Sequence, residues 1–490
     1  MRDLAHLSDA HWPAAAYPRT ALPERVLQFG TGMLLRSVCA AAVDAANRGE
    51  GGRAFGGRIV VVQSTPEGRG RASAINAQDG LFTLVERGDE QGRPVDRSCV
   101  IGSISRALVA DAEWDAVRDV AARPELQVIV SNVTEAGFRP DGSFPARLTD
   151  LLYTRFSRLP DGPPVFVIPT ELVDENGPRL AAMVERLADR RERGPQFRGW
   201  IGRSVRFCSS LVDRITTGPP PGPDALATLE HQLGYRDSLL TVAEPYMLWA
   251  IEADPAALRP AFAIDVSPES VIFQPDITFY RERKLRLLNG AHTATAPLAL
   301  LAGVRTVREA TDHPRLSAFL QHILFEEIVP AIDLPREAGV GFARDVIDRF
   351  RNPWLEHEWR VIATNETAKW RVRIVPTIVA FTRKRAAAPQ GLALACAAYL
   401  RWARLGEGGG TDGHDADHSL VERHWDAATT WEQLAARALA DEALWGVNLA
   451  RLPGFLDVTT RWLLMLQREG VDAALAALRP AADHVSAGRL

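Results

Sequence analysis

The 490-residue sequence predicts an α/β Rossmann-type N-terminal domain followed by a mostly α-helical C-terminal domain. Three observations carry this reading. An apolar strand near the N-terminus runs into a glycine bend and a helix; short apolar runs then alternate with helical patterns; and after about residue 275 long Ala/Leu-rich amphipathic patterns take over. A chain of this length exceeds what one hydrophobic core serves, so two domains are expected, 1–274 and 275–490.

The first strand is Arg25–Phe29, followed by Gly30-Thr31-Gly32 and a helix from Met33 to about Asn47. Strand, glycine bend and helix open a dinucleotide-binding unit, in which helix N-terminal amides receive a pyrophosphate. Gly30 permits the tight turn and Gly32 the close phosphate approach, with Thr31 and Met33 beside them; Leu35 stands where a third glycine is usual. The second strand, Arg58–Val62, ends in Gln63-Ser64-Thr65 instead of the acidic residue that holds the ribose hydroxyls of NAD. Arg69 and Arg71 follow, so NAD is expected with NADP left open. Further strands are expected at Leu81–Val85, Val128–Ser131, Val165–Pro169 and Arg206–Ser210, with helices such as Ala112–Ala122 and Leu180–Arg191 between them. This alternation implies a mostly parallel, doubly wound sheet with ligands at the carboxyl ends of its strands. Polar clusters fall at three such ends: 131–137, 170–177 and 212–218. In the first, Asn132 and Glu135 lie where the nicotinamide end is expected. Asn132 is preferred because a neutral amide contacts ribose or carboxamide at no charge cost. Arg36, just inside the first helix, has two candidate partners, a cofactor phosphate or a carboxylate of the sheet.

The second domain shows helical patterns at 284–303, 313–330, 389–405, 430–442 and 457–479. Trp402, Trp425, Trp431, Trp445 and Trp462 lie within them, which favours core or interface over a sugar-stacking surface. The glycine-rich stretch Gly406–His418 carries His414, Asp415, Asp417 and His418 without rigid ligand spacing, so no metal is expected. Cys39, Cys99, Cys208 and Cys396 form no CxxC pair, which argues against a zinc site or disulfide framework and for a reducing compartment. The net charge of −4 makes nucleic acid no default partner. The N-terminus lacks an apolar signal core, and no apolar run approaches the ~20 residues that span a bilayer. A cytoplasmic protein with a small-molecule partner is expected; the oligomeric state stays open.

One segment concentrates chemistry: Lys284-Leu-Arg-Leu-Leu-Asn289-Gly-Ala-His292. It holds a base, a neutral amide donor and an imidazole. With α-helical winding, Asn289 and His292 fall about 140° and 80° around from Lys284, so all three can face one broad side. Such a set suits moving a proton off an alcohol without a metal.

In order, QFGTGMLLR, AQDGLFTLVERG, SNVTEAGF, PTELVDENG, FCSSLVDRITTG, AEPYMLWAIE and KLRLLNGAHTA resemble the long-chain, metal-independent polyol dehydrogenases that include mannitol dehydrogenase. The likeness covers roughly residues 24–380. Within that family, QDGLFTLVERG, SNVTEAGF and SSLVDRITTG are similar to the subgroup acting on the sugar-acid pair altronate and tagaturonate. The resemblance implies NAD(H), a helical C-terminal domain and an active site in the cleft between the domains. It also implies a catalytic lysine on a KxxxxNxxH motif, matched at Lys284, Asn289 and His292. The glycine turn matches at Gly30 and Gly32, and a VDRI motif at Asp213 and Arg214. The family's second oxyanion-binding Asn is not matched, because Thr170-Glu171-Leu172 stands there; that donor is either missing or supplied by Asn176.

The implied roles follow. Lys284 is the general acid/base; lysine ordinarily titrates near about 10.4, and desolvation with a nearby positive charge would lower it. Asn289 is expected to hydrogen-bond the developing alkoxide, and His292 to contact the substrate oxygen or orient the lysine. A sugar acid also needs a cation for its carboxylate. Lys369 is the first candidate and Arg371 the next, with Arg373 on the same side if that segment is extended. His357 is a further candidate hydroxyl contact. Related polyol or uronate dehydrogenases acting on mannitol, fructuronate or arabinitol are the alternative. A dinucleotide-binding protein without catalysis is the outside one.

Overall fold

The computed structural model describes residues 4–478 apart from 14–15, 53, 91–92, 134–136, 141–142, 221, 268 and 405–417. The readings at Glu135, His414, Asp415 and Asp417 lie outside the described residues. Two compact units divide the chain, Met1–Ile277 and Thr278–Leu490.

The first unit is built on a six-stranded parallel sheet. Its strands are β1 (Glu24–Phe29), β2 (Arg58–Gln63), β3 (Ile104–Val109), β4 (Val128–Ser131), β5 (Val165–Pro169) and β6 (Val205–Phe207). Their spatial order is β3-β2-β1-β4-β5-β6, with every pairing parallel. This is the dinucleotide-binding order, and the chain reverses direction across the sheet at β1. The period-2 geometry of a strand explains the continuous apolar runs. Val26, Ile59, Val61, Val128 and Val130 face one core with Val38, Cys39 and Ile75. Their neighbours Leu27, Val60, Val62 and Ile129 face the other with Val117, Leu148 and Leu180. The Rossmann-type, doubly wound expectation is borne out.

Two smaller sheets were not expected. One contains a long hairpin, Phe82–Glu90 with Arg93–Ile101, beside Thr241–Ala243 and Thr216–Thr217. The other joins Val271–Gln274, Leu248–Glu252 and Ser210–Asp213. The expected strand Arg206–Ser210 is therefore two strands in different sheets. Val205–Phe207 closes the parallel sheet, and Ser210–Asp213 leaves it to pair antiparallel with Leu248–Glu252.

The second unit is helical. Thr278–Leu301 is one helical run whose middle, Lys284–Asn289, widens to π winding before α winding resumes at Gly290. From Gly290 to Ala299 every residue is buried, as befits a helix apolar on all sides. A second run, Glu366–Arg385, contains another π turn at Trp370–Ile374. Trp402, Trp445 and Trp462 are buried, in keeping with a core role. Among the described residues no helix is long and apolar enough to cross a membrane.

Candidate active site

The bend after β1 needs its glycines for different reasons. Gly30 has φ +122°, and a Cβ there would stand 2.7 Å from the Asn132 carbonyl oxygen. Gly32 has an ordinary φ of −66° and nothing within 4 Å of an added Cβ. Its smallness leaves room at the start of the helical run from Met33, which fits a phosphate cradle. Thr31 is buried and hydrogen-bonds Gln63. Met33 lies near Gly218, whose added Cβ would be 3.6 Å from the Met33 sulfur. Gln63 turns inward beneath the loop after β2, donating to the Thr65 carbonyl at 2.9 Å. Arg69 and Arg71 are exposed beside that loop. Among the described residues Arg36 pairs with no carboxylate of the sheet. It is buried, with Nη1 donating to the Thr31 carbonyl at 2.8 Å and Nε to Thr241 Oγ1 at 3.1 Å. Burial lowers its pKa to about 10. It is a strut that holds the bend.

The carboxyl ends of β4 and β5 form a tied network. Asn132 Nδ2 donates to Thr170 Oγ1 at 3.0 Å, and that hydroxyl donates to the Ser131 carbonyl at 2.8 Å. Buried Glu171 accepts from Val133 N–H at 2.8 Å and Ser131 Oγ at 3.1 Å; burial raises its pKa and these bonds oppose the rise.

Asn176 does not serve as an oxyanion donor. Its Nδ2 points at the carbonyls of Pro169, Glu171 and Ser210, 3.0–3.1 Å away, and its Oδ1 accepts from Ser210 N–H at 3.0 Å. A Cβ on neighbouring Gly177 would lie 2.5 Å from Ser209 N. Asn176 thus clamps the chain where it leaves the parallel sheet. Asp213 is buried at the end of Ser210–Asp213, opposite Leu248. Arg214 is also structural, donating to the Glu244 carbonyl at 2.9 Å and pairing with Glu86.

The lysine segment behaves differently. π winding makes i→i+5 bonds, so Asn289 falls nearer the Lys284 side than α winding's ~140° predicts. Such turns recur at functional sites, because widening one turn re-aims side chains. Arg286, on the same turn, pairs with Glu282 at 3.0 Å and donates to the Val372 carbonyl. A Cβ at Gly290 would stand 3.6 Å from Ile374 Cδ1 and 3.8 Å from the Arg373 carbonyl oxygen, ordinary contact distances that set the second π turn beside this one.

Polar atoms here are buried yet unpaired. Asn289 Nδ2, His292 Nε2, His357 Nδ1 and Trp359 Nε1 have no hydrogen-bond partner among the described residues. Native interiors seldom leave such groups unsatisfied, so each needs a reason. His292 stacks on Phe350 with ring centroids 4.2 Å apart, and His357 meets it edge-on at 5.1 Å. Burial holds His292 well below the usual histidine range, helped by His357, Arg373, Arg349 and Lys369. Burial, then Lys369, lowers His357 to about 4. Both rings are therefore neutral near pH 7, each with one donor and one acceptor nitrogen.

The segment around Lys369 is helical, so the extended alternation that would align Lys369, Arg371 and Arg373 is overturned. Lys369 Nζ donates to the Ile362 carbonyl at 2.6 Å and acts on both histidines. Arg371 reaches another way, with Nε donating to the Leu444 carbonyl at 2.8 Å. Arg373 Nη1 donates to the hydroxyl of Thr293, next to His292, at 3.1 Å. Sequence reasoning missed Phe350, Arg349 and Trp359, which only the tertiary fold brings to His292.

Comparison with known proteins gives matches to a mannitol dehydrogenase Rossmann domain over residues 24–263 and a mannitol dehydrogenase C-terminal domain over 276–466. An altronate oxidoreductase of Klebsiella pneumoniae is 37% identical, over 91% of this chain and 94% of its own length. One from Escherichia coli is 35% identical, over 94% and 98%. Among solved structures, a Pseudomonas fluorescens mannitol 2-dehydrogenase in ternary complex with NAD and D-mannitol matches with TM-score 0.72 and 24% identity, over 94% of this chain and 95% of its own. A D-sorbitol dehydrogenase in substrate-free form matches with TM-score 0.78 and 22% identity, over 96% and 100%.

Proposed function

The chain belongs to the mannitol dehydrogenase family, and from that premise we propose that it interconverts D-altronate and D-tagaturonate with NAD(H). As a family member it is an oxidoreductase acting on a CH–OH group with a nicotinamide cofactor. The substrate is supported by the altronate oxidoreductase relatives and by one observation in particular. Unsatisfied Asn289, His292 and His357 are gathered in a region where Lys369, Arg349 and Arg373 act on the histidines. Polar atoms without protein partners suit a polyhydroxylated ligand, and the cations suit its carboxylate.

The proposed roles are specific. With its pyrophosphate at the glycine bend, the nicotinamide cofactor would supply or accept the hydride. In reduction, the Lys284 ammonium gives its proton to the ketone oxygen, so ketone, hydride and proton sum to the alcohol. Asn289 Nδ2 donates a hydrogen bond to the oxygen as negative charge develops there. Neutral His292 and His357 bind flanking hydroxyls as donor and acceptor without adding charge. Lys369 faces the carboxylate. In unit 1, Gly30, Thr31, Gly32 and Met33 shape the phosphate bend, and Asn132 lines the nicotinamide end. NAD is proposed over NADP because the inward-turned Gln63 brings no positive charge to the end of β2; exposed Arg69 and Arg71 are what NADP would use.

The test is steady-state reduction of tagaturonate, fructuronate and fructose with NADH and NADPH in parallel. The expected result is the highest kcat/KM for tagaturonate with NADH. A fructose rate equal to that of either acid contradicts the sugar-acid reading.

A further inference from the structure

We propose that Arg373, rather than Arg371, is the second cation of the carboxylate-binding group, acting with Lys369 and aimed by Thr293. This deepens the sugar-acid reading and rests on it. The alternatives differ in where the backbone sends them. The π turn Trp370–Ile374 separates side chains that an extended strand would align. Arg371 leaves toward the Glu442–Trp445 helix and spends its Nε on the Leu444 carbonyl. Arg373 turns back toward the Gly290–Leu301 helix, where its Nη1 meets Thr293 Oγ1 at 3.1 Å. Thr293 follows His292 directly, and the Arg373 charge acts on that imidazole.

Arg373 is also underpaired for its surroundings. A guanidinium has five N–H donors, and among the described residues the one hydrogen-bond acceptor shown for this one is a neutral hydroxyl. Glu366, whose Oε1 accepts from Trp370 Nε1 at 3.2 Å, favours the charged guanidinium electrostatically, against the burial that lowers its pKa. A half-buried cation held this way has donors left for an anion that completes the pair. A substrate carboxylate does so, because the guanidinium fork matches its two oxygens. The backbone supports the placement: Arg286 donates to the Val372 carbonyl and lies 3.5 Å from that of Arg373, tying this turn to the turn carrying Lys284. The acid end and the reacting oxygen are thereby held on two linked π turns.

The test compares full-length wild type, Arg373→Lys, Thr293→Val and Arg371→Gln. KM is measured for tagaturonate and fructose, or Ki where one acts only as an inhibitor. Arg373→Lys keeps the charge and removes the fork. It is expected to raise KM for the acid about tenfold or more while moving the neutral ketose less than about twofold. Thr293→Val, which removes the aiming acceptor, is expected to give a smaller rise of the same selectivity and carries the test if Arg373→Lys fails to melt cooperatively. Equal effects on both ligands overturn the assignment, as does acid selectivity lost in Arg371→Gln instead. A wild type without preference for the acid sinks the substrate reading itself, a result visible before any variant is compared.

Discussion

Two asparagines, one in each unit of this molecule, show two ways of treating a buried amide nitrogen. Asn176 is buried in the Rossmann-type unit with its amide surrounded by three carbonyls and its oxygen bonded to Ser210 N–H. Asn289, in the helical unit, is half-buried, and its buried Nδ2 is bonded to nothing described. The contrast extends to their neighbours. Arg36 and Arg214 end on backbone carbonyls, whereas His292 and His357 each keep a ring nitrogen without a partner. Asn176 ties the scaffold together; Asn289 keeps a donor that a ligand can use. A buried unpaired polar group costs about 1–3 kcal/mol, so the four atoms on Asn289, His292, His357 and Trp359 are a substantial cost that a bound ligand can offset.

The sharpest way to break the comparison is at Lys284. Replacing it with Ala is expected to lower kcat by about 10²–10⁴ while leaving cofactor binding to the first unit within about twofold. Stopped-flow turnover and fluorescence titration with NADH check both halves, and near-normal turnover removes the lysine from the chemistry.

The glycine bend offers the next test. Gly30→Ala meets both a left-handed φ and the Asn132 carbonyl, so a loss of several kcal/mol, on the order of 3, is expected as a lower melting temperature. Gly32→Ala meets no atom of the protein and is expected to keep the wild-type melt while NADH binds about tenfold more weakly or worse. Equal melting losses would show that Gly32 serves packing instead of a ligand.

The smallest effect concerns acid. His357 titrates at about 4 in the folded protein against about 6.5 unfolded, so the unfolded chain binds the proton first. Its contribution is fully present above about 6.5 and is lost as pH falls toward about 4, amounting to about 3 kcal/mol. His292 acts in the same direction. His357→Asn should flatten the decline of melting temperature between those pH values. An unchanged slope would place the acid sensitivity elsewhere.

Much of the first unit was legible because its parallel strands are buried on both faces, which leaves unmistakable apolar runs such as Arg58-Ile-Val-Val-Val. The edge strand Arg93–Ile101 was not, since most of its residues are exposed and carry no alternation. The residues of the Lys284 group were legible as types but not in their geometry. Over a single turn, a periodic pattern does not distinguish π from α winding, and the same ambiguity hid the helical course of Lys369 through Arg373. Nothing in composition separates Asn176 from Asn289, because hydrogen-bond satisfaction is a tertiary property. Phe350 and Arg349 lie on a different helix from His292, and only packing brings them together.

The most direct measurement is therefore the same substitution at both asparagines, Asn289→Ala and Asn176→Ala, with kcat and melting temperature recorded side by side. Asn289→Ala is expected to lose about 10²–10³ in kcat and to melt at or above the wild-type temperature, since it deletes a buried unpaired donor. Asn176→Ala is expected to lose about 2–4 kcal/mol of stability and to turn over normally below its melt. Were Asn176→Ala the stable, inactive variant and Asn289→Ala the unstable, active one, the division between scaffold and site drawn from their hydrogen bonds would be wrong.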